Sequence, residues 1–484
     1  MLFRAWAAWP MCWGIIREIK HSPEPPVAGS DGGGARYGRA VDQTVISGGQ
    51  VVTPGGVLAA DVVVAGQKIV AVTERGRAGG EGDVVEASGC YVLPGGVDPH
   101  VHMLSDVPAA DQALLGGTTT ALSFTWPEPD EAPAAAFERA RDELLPQTSL
   151  DVGLHAALWS PHTVTAVDVA QLNRLGVCGL KLYVAYPELG MMASDRDVYR
   201  VMSAARELGL AVQVHCENGD MIAELIQAAL DAGHTGVRSF FETRPPITEE
   251  ESVHRVLCLA ELTGAPVYLV HLSTSRALDH VRAARRRGVT AWAEAVTWGL
   301  MLDDSVIDRD DPQVYMAAPP PRPREHVEAA WAAVADGTLD TLGSDHHERT
   351  YAPPDAPDFT GIPYSIRGIR VRLPMLLAEG LRRGIPMQRM AALLATGPAR
   401  AFGLPAKGAL QPGADADIAI WDPDGSWTIG DDYPAWKGMT VPGAVRTVLR
   451  RGELMVHDGA LVGSRSAGRH LRRKRPPKSR VCAL

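Results

Sequence analysis

The stretch YVLPGGVDPHVH, residues 91–102, decides the fold. Its apolar opening and Gly-Gly pair, YVLPGG, read as the first strand of a barrel, after which His100 and His102 stand two residues apart. In extended backbone, residues i and i+2 share a face, so both imidazoles can reach one ion. Working outward, the same placement recurs. Lys181 lies in GLKLYV, His215 near the end of VQVHCEN, His271 near the end of VYLVHLS and Asp345 in LGSDHH, each at the C-terminal end of a predicted strand.

The strand candidates LDVGLHAALW, CGLKLYV, LAVQVHC, APVYLVHLS and LDTLGSD alternate with stretches such as DVYRVMSAARELG and SVHRVLCLAELTG, which have helical spacing and end in Gly. Strand and helix in repeated alternation imply a parallel sheet. Residues 94–404 are long enough for a closed (β/α)8 barrel, whose active site is built at the C-terminal ends of its strands. On either side the text turns β-rich, as QTVISGGQVVTPGGVLAADVVVAGQKIVAVTE before the barrel and as ADIAIWDPD and AVRTVLRRGELMVHDGALVG after it. The predicted fold is therefore α/β, a (β/α)8 TIM-like barrel over 94–404, with a flanking β-sandwich domain built from both chain ends, residues 41–93 and 405–464. The leading flank by itself reads as antiparallel. Residues 1–40, rich in Gly, Pro and Ser toward their end, read as a disordered extension. Residues 465–484 carry eight Lys or Arg and read as a flexible, solvated basic tail, with an RNA or membrane tether as the alternative.

Across 484 residues the formal net charge is -10, 46% of residues are hydrophobic and 21% charged, the profile of an ordinary α/β protein. A net acidic chain lacks the basic face that duplex binding needs, so small molecules rather than nucleic acid are the expected partners. The six cysteines have no CxxC or framework spacing, which fits a reducing cytoplasm, and no stretch suits a membrane span.

Imidazoles and a carboxylate gathered at successive strand ends suit a divalent ion with a position open for water. Lys181 is the odd member, because an ammonium group has no lone pair. Lowered in pKa by neighbouring cations, its neutral amine could capture carbon dioxide and become a carbamate that bridges metals; an ordinary salt-bridged lysine is the other reading.

The segments PGGVDPHVH, GLKLYVAY, VHCENGD, VHLSTS and GSDHH resemble the ligand motifs of the cyclic amidohydrolases, the group that holds hydantoinases, dihydropyrimidinases, allantoinases and dihydroorotases. GGTTTALSF, ATGPARAFGL and GALQPGADADIAIWDP are similar to that family's text as well, and the likeness runs from Gln43 to Gly463. It implies that His100 and His102 bind one metal and His215 and His271 a second, with carboxylated Lys181 bridging them. Asp345 would ligate the first metal and act as general base, and Tyr186 would donate to the oxyanion. The implied cofactors are two divalent cations, zinc with manganese as the alternative, and the implied assembly is a dimer or tetramer.

The implied substrate is a cyclic ureide, a 5-substituted hydantoin or a dihydropyrimidine, opened to an N-carbamoyl amino acid. Leu104 stands where dihydroorotases carry a carboxylate-binding Arg, which counts against that activity. Two features depart from typical hydantoinases: the segment between His102 and Gly116 is shorter, and Ala318 in YMAAPPPRP stands where they show Ser and allantoinases often show Ala. Allantoinase is therefore the alternative. Tyr183 is expected to line the pocket beside the exocyclic substituent, Ala318 to contact the ring, and Glu217 and Asn218 to orient ligands; His347 and Glu348 receive no role. A non-catalytic relative would have lost the ligand residues, and a one-metal hydrolase would have no use for Lys181.

Overall fold

The computed structural model describes residues 43–77, 82–103, 108–128, 131–347, 357–464 and 468–475. The expected extension over 1–40, Leu104 and Glu348 lie outside them.

Ten strands form the flanking sheet. Those from the start of the chain are β1 (Gln43–Ser47), β2 (Gln50–Thr53), β3 (Gly56–Ala65), β4 (Lys68–Glu74), β5 (Asp83–Glu86) and β6 (Tyr91–Pro94). Those from its end are β16 (Ile418–Thr428), β17 (Thr440–Arg450), β18 (Glu453–His457) and β19 (Ala460–Leu461). The two groups join where β6 pairs antiparallel with β16, Pro94 opposite Ile418, so YVLP is not the first barrel strand that its apolar run suggested. That strand is Gly96–His102, which carries both histidines itself, because an apolar run marks a buried strand but not the sheet it joins. The sheet encloses its own apolar core, including Ile46, Val62, Val92, Ile418 and Leu449. It is mixed rather than antiparallel, because β1–β5 and β2–β6 are parallel pairs. Alternation of apolar residues reports a half-buried strand but not the direction of its neighbour, which is why the leading flank read wrongly in isolation.

The barrel strands are β7 (Gly96–His102), β8 (Thr118–Phe124), β9 (Asp151–Ala157), β10 (Gly179–Tyr183), β11 (Ala211–His215), β12 (Val267–Leu269), β13 (Ala291–Val296) and β14 (Thr341–Gly343). All pair parallel in chain order. The ring closes through β15 (His346–His347), which continues β14 after a break at Ser344 and Asp345 and pairs with β7, His347 opposite His102. Burial on both faces explains why these strands read as unbroken apolar runs. Helices cover the outside, each signalled locally: Ala166–Leu175 begins with a Thr165/Asp168 capping box and ends at Gly176 in a left-handed turn. Phe402 plugs the floor of the barrel, 4.5 Å from the His155 ring and 4.8 Å from the Tyr268 ring.

One buried ion pair ties the seam. The Arg372 guanidinium lies 3.3 Å from Asp98 on β7 and donates to the Leu342 carbonyl on β14 at 2.8 Å. Asp98 in turn accepts from the amides of His100 and Ser344, so the charge that anchors the pair also sets the backbone at the first histidine.

The basic tail departs from expectation. Over 468–475 it is docked beneath the barrel: β20 (His470–Leu471) pairs parallel with Val152 and Gly153 of β9. Its guanidiniums satisfy carbonyls at helix ends, Arg472 at Arg174 and Arg475 at Glu207. Unpaired carbonyls at helix C-termini attract cations, and a charge run in sequence cannot show that such acceptors wait elsewhere in the fold. Gly176, at φ +92, lies so close to Arg472 that a side chain there would collide with it.

Candidate metal centre

The expected ligands converge at the C-terminal rim. His100 and His102, on the same face of β7, both meet Asp345: its Oδ1 lies 3.1 Å from His100 Nε2 and 3.5 Å from His102 Nε2. One ligand atom from each of the three lies within 4.8 Å of the others. His215 at the end of β11 and His271 just past β12 face each other, Nδ1 to Nε2, at 2.9 Å. The halves adjoin, with the His100 and His271 rings stacked 5.6 Å apart.

Buried carboxylates orient these rings. Glu294 on β13 accepts from His100 Nδ1 at 2.8 Å, so that Nε2, once it gives up its proton to make room for an ion, would turn its lone pair to the Asp345 side. Glu217 takes His215 Nε2 at 2.9 Å and leaves Nδ1 for the point shared with His271. Burial works against charge on His100, yet the flanking carboxylates of Asp345 and Glu294 outweigh it and raise its pKa to about 9. Burial dominates at His102 and pushes it down to about 4. Asp345 is held well below the usual carboxylate range, because His100, His102 and His271 together outweigh the burial that opposes its charge.

Lys181 projects from β10 into the same space and is 1% exposed. Among the described residues it makes no hydrogen bond or ion pair; its amine lies 5.1 Å from the centre of the Tyr183 ring and 5.3 Å from that of Phe124. Burial lowers its pKa to about 8, against the pull of Asp345 and Glu294. A buried ammonium without an acceptor is costly, so this position makes the neutral amine far more accessible than in an exposed lysine. The donor set fits a pair of divalent ions: imidazole nitrogens with their lone pairs turned inward, a carboxylate between them and an amine free to be modified.

The backbone supports the convergence at a cost. Of five described non-glycine residues with positive φ, three are Tyr186 (65°), His271 (38°) and Asp345 (47°). Such conformations cost on the order of 1–3 kcal/mol each and gather at functional sites. The Tyr186 ring lies 4.9 Å from His215, and burial raises its hydroxyl well above the usual pKa. Tyr183, 6% exposed, packs between Lys181 and His215. Ala318 is half-buried beside the cis peptide to Pro319, and no described hydrogen bond or ring contact joins it to the cluster.

Several participants escaped the sequence. Glu294 sits in AWAEAV, where one carboxylate among alanines marks an inward-facing position, but the run is too short to separate from a helix fragment by periodicity. Trp126 and Trp159 follow β8 and β9 and pack edge to face, 4.7 Å apart, with Trp126 5.7 Å from His102. The His347 ring lies tilted 5.0 Å from His102. Asn218, expected to orient ligands, instead caps the helix Gly219–Asp231 by accepting from the Met221 amide and binds Glu251. A second acidic cluster, Asp151, Asp415 and Asp417, is already neutralised by Lys407, 2.6 Å from Asp151 and Asp417, and is no rival for a metal.

The chain is similar to known proteins over most of its length. The model of the Amidohydrolase family matches residues 91–455. A D-hydantoinase of Geobacillus stearothermophilus is 34% identical over 89% of this chain and 96% of its own. A D-phenylhydantoinase of Escherichia coli O1:K1 is 32% identical, covering 81% and 89%. Among solved structures, a dihydropyrimidinase from Brevibacillus agri superposes with a TM-score of 0.85 at 32% identity, covering 90% of this chain and all of the other. An L-hydantoinase from Arthrobacter aurescens gives 0.83 at 25% identity, with the same coverage.

Proposed function

Since this chain belongs to the amidohydrolase family, we propose that it hydrolyses the ring C–N amide bond of a cyclic ureide, a 5-substituted hydantoin or a dihydropyrimidine, to give an N-carbamoyl amino acid. The observation that carries the proposal is the convergence of His100, His102, His215, His271 and Asp345 around a buried Lys181 that has no hydrogen-bonding partner among the described residues.

His100 and His102 would hold one divalent ion and His215 and His271 the other, with Asp345 on the first. Lys181 would join both after its neutral amine adds carbon dioxide and sheds a proton, becoming a carbamate. Bound there, two zinc or manganese ions would supply Lewis acidity toward the scissile carbonyl and acidify a water at neutral pH. Asp345 accepts the proton of the attacking water and returns it to the leaving ring nitrogen. Tyr186 donates to the carbonyl oxygen as negative charge develops, a contribution of roughly 3 kcal/mol for a single well-placed donor. The barrel domain over 94–404 carries all of these groups. A homodimer or homotetramer in the cytoplasm completes the proposal by family resemblance.

The test is turnover by the zinc- or manganese-loaded protein on dihydrouracil, 5-substituted hydantoins, allantoin and dihydroorotate at neutral pH. Ring opening of hydantoins or dihydrouracil is expected; activity on allantoin alone would replace the proposed substrate class. In crystals grown with bicarbonate, extra density at Lys181 Nζ is expected, and a bare amine would remove the carbamate from the reading.

A further inference from the structure

The half of the site formed by His215 and His271 rests on one buried guanidinium. Arg322, 4% exposed, stands in AAPPPRP between Pro321 and Pro323, whose rings fix φ and stiffen the backbone that carries it. Its Nε donates to the Ser273 hydroxyl at 2.9 Å, and one terminal nitrogen donates to the Arg244 carbonyl. The other terminal nitrogen donates to Glu249 at 3.3 Å and lies 3.9 Å from Glu217. Each of these two carboxylates leads to one histidine. Glu217 uses Oε2 on His215 Nε2 at 2.9 Å, while its buried Oε1, which accepts no hydrogen bond among the described residues, is the oxygen beside Arg322. Glu249 accepts from the Ser273 amide at 2.8 Å, from the Thr274 amide at 3.0 Å and from both of their hydroxyls. Those residues follow His271 directly after Leu272, and His271 stands at a φ of 38°, a conformation that its surroundings must hold.

We propose that Arg322, given the ligand role stated above for His215 and His271, is a positioning residue for the second metal ion. By joining Glu217 to Glu249 it holds the two imidazoles where one cation can use both. Removing it would strip two buried carboxylates of the charge that compensates them, and each would then turn toward water or take up a proton. The planar fork of a guanidinium can serve Ser273, Arg244 and Glu249 together, which the point charge of a lysine cannot. Among the described residues no hydrogen bond or ion pair joins Arg322 to His100, His102 or Asp345, so its loss falls on one ion of the two.

The test titrates the zinc-loaded full chain with a chelator and counts the ions left per chain. Wild type is expected to hold two ions at saturation. R322Q is expected to release one of them at roughly 10- to 100-fold lower chelator strength, the usual effect of losing a group that orients a ligand, and to keep the other as wild type does. R322K, which retains a charge beside both carboxylates, is expected to shift the same ion in the same direction by less, and it decides the matter if R322Q does not fold. In a His215→Asn background, which keeps only the first ion, R322K is expected to change nothing. Fewer than two ions on saturated wild type would sink the two-ion reading itself. Two ions on wild type with unchanged release from the Arg322 variants, equal shifts of both ions, or a shift that persists in His215→Asn would overturn the positioning role alone.

Discussion

Glu294 and His100, 194 residues apart in sequence, are joined by a 2.8 Å hydrogen bond in which both partners are buried. Through its other oxygen Glu294 also accepts from the Tyr268 hydroxyl at 2.7 Å, and Oε1 receives the His271 amide at 3.1 Å. One carboxylate therefore sets the tautomer of a histidine from one half of the site and the backbone of a histidine from the other. Replacing it with Gln keeps the shape but weakens the acceptor. Glu294→Gln is expected to lower metal affinity roughly 10- to 100-fold, the usual effect of losing a group that orients a ligand. Chelator competition measures this, and an unchanged affinity would show that His100 needs no such support.

Arg372 and Asp98 are both fully buried. Removing one partner strands the other charge in a low-dielectric interior, at about 3–5 kcal/mol. Arg372→Leu is expected to lose that much stability in urea unfolding. A loss below about 1 kcal/mol would mean that water or another group replaces the pair.

Acid is expected to release the C-terminal strap. Burial, with Arg141 and Arg472 nearby, lowers His470 to about 4 from an ordinary value of 6.5. The undocked state therefore binds more protons between those values, so docking is fully supported above about 6.5 and weakens as pH falls toward 4. Amide exchange at Val152, whose N–H is held by the Arg469 carbonyl, should rise over that window after correction for intrinsic rates. The same pH dependence in His470→Phe would show that another group is responsible.

Trp126 presents an indole edge beside His102 and Trp159. An aromatic substituent packed there would gain about 0.5–1.5 kcal/mol beyond simple burial, so Trp126→Ala should raise KM for a 5-aryl hydantoin roughly 2- to 10-fold. Dihydrouracil, which has no such substituent, should be little affected. Equal losses on both substrates would remove Trp126 from specificity.

The site was legible to the extent that its residues follow apolar strands. His100, His102, Lys181, His215, His271 and Asp345 could be placed because a barrel strand buried on both faces is a continuous apolar run and its C-terminal end is marked by the first polar residues. Glu294 and Trp126 carry no such mark. Glu294 lies in mid-strand and Trp126 beyond a strand end among prolines.

Residue type and period determined the alternation, the barrel and the positions of the groups that can hold metal, because these depend on neighbours a few residues apart. Which nitrogen of each histidine turns inward, which carboxylate holds it there and where the arginines of the tail find acceptors were decided by tertiary structure alone. Those choices depend on partners hundreds of residues away, brought within hydrogen-bonding distance only when the ring of strands closes at β15.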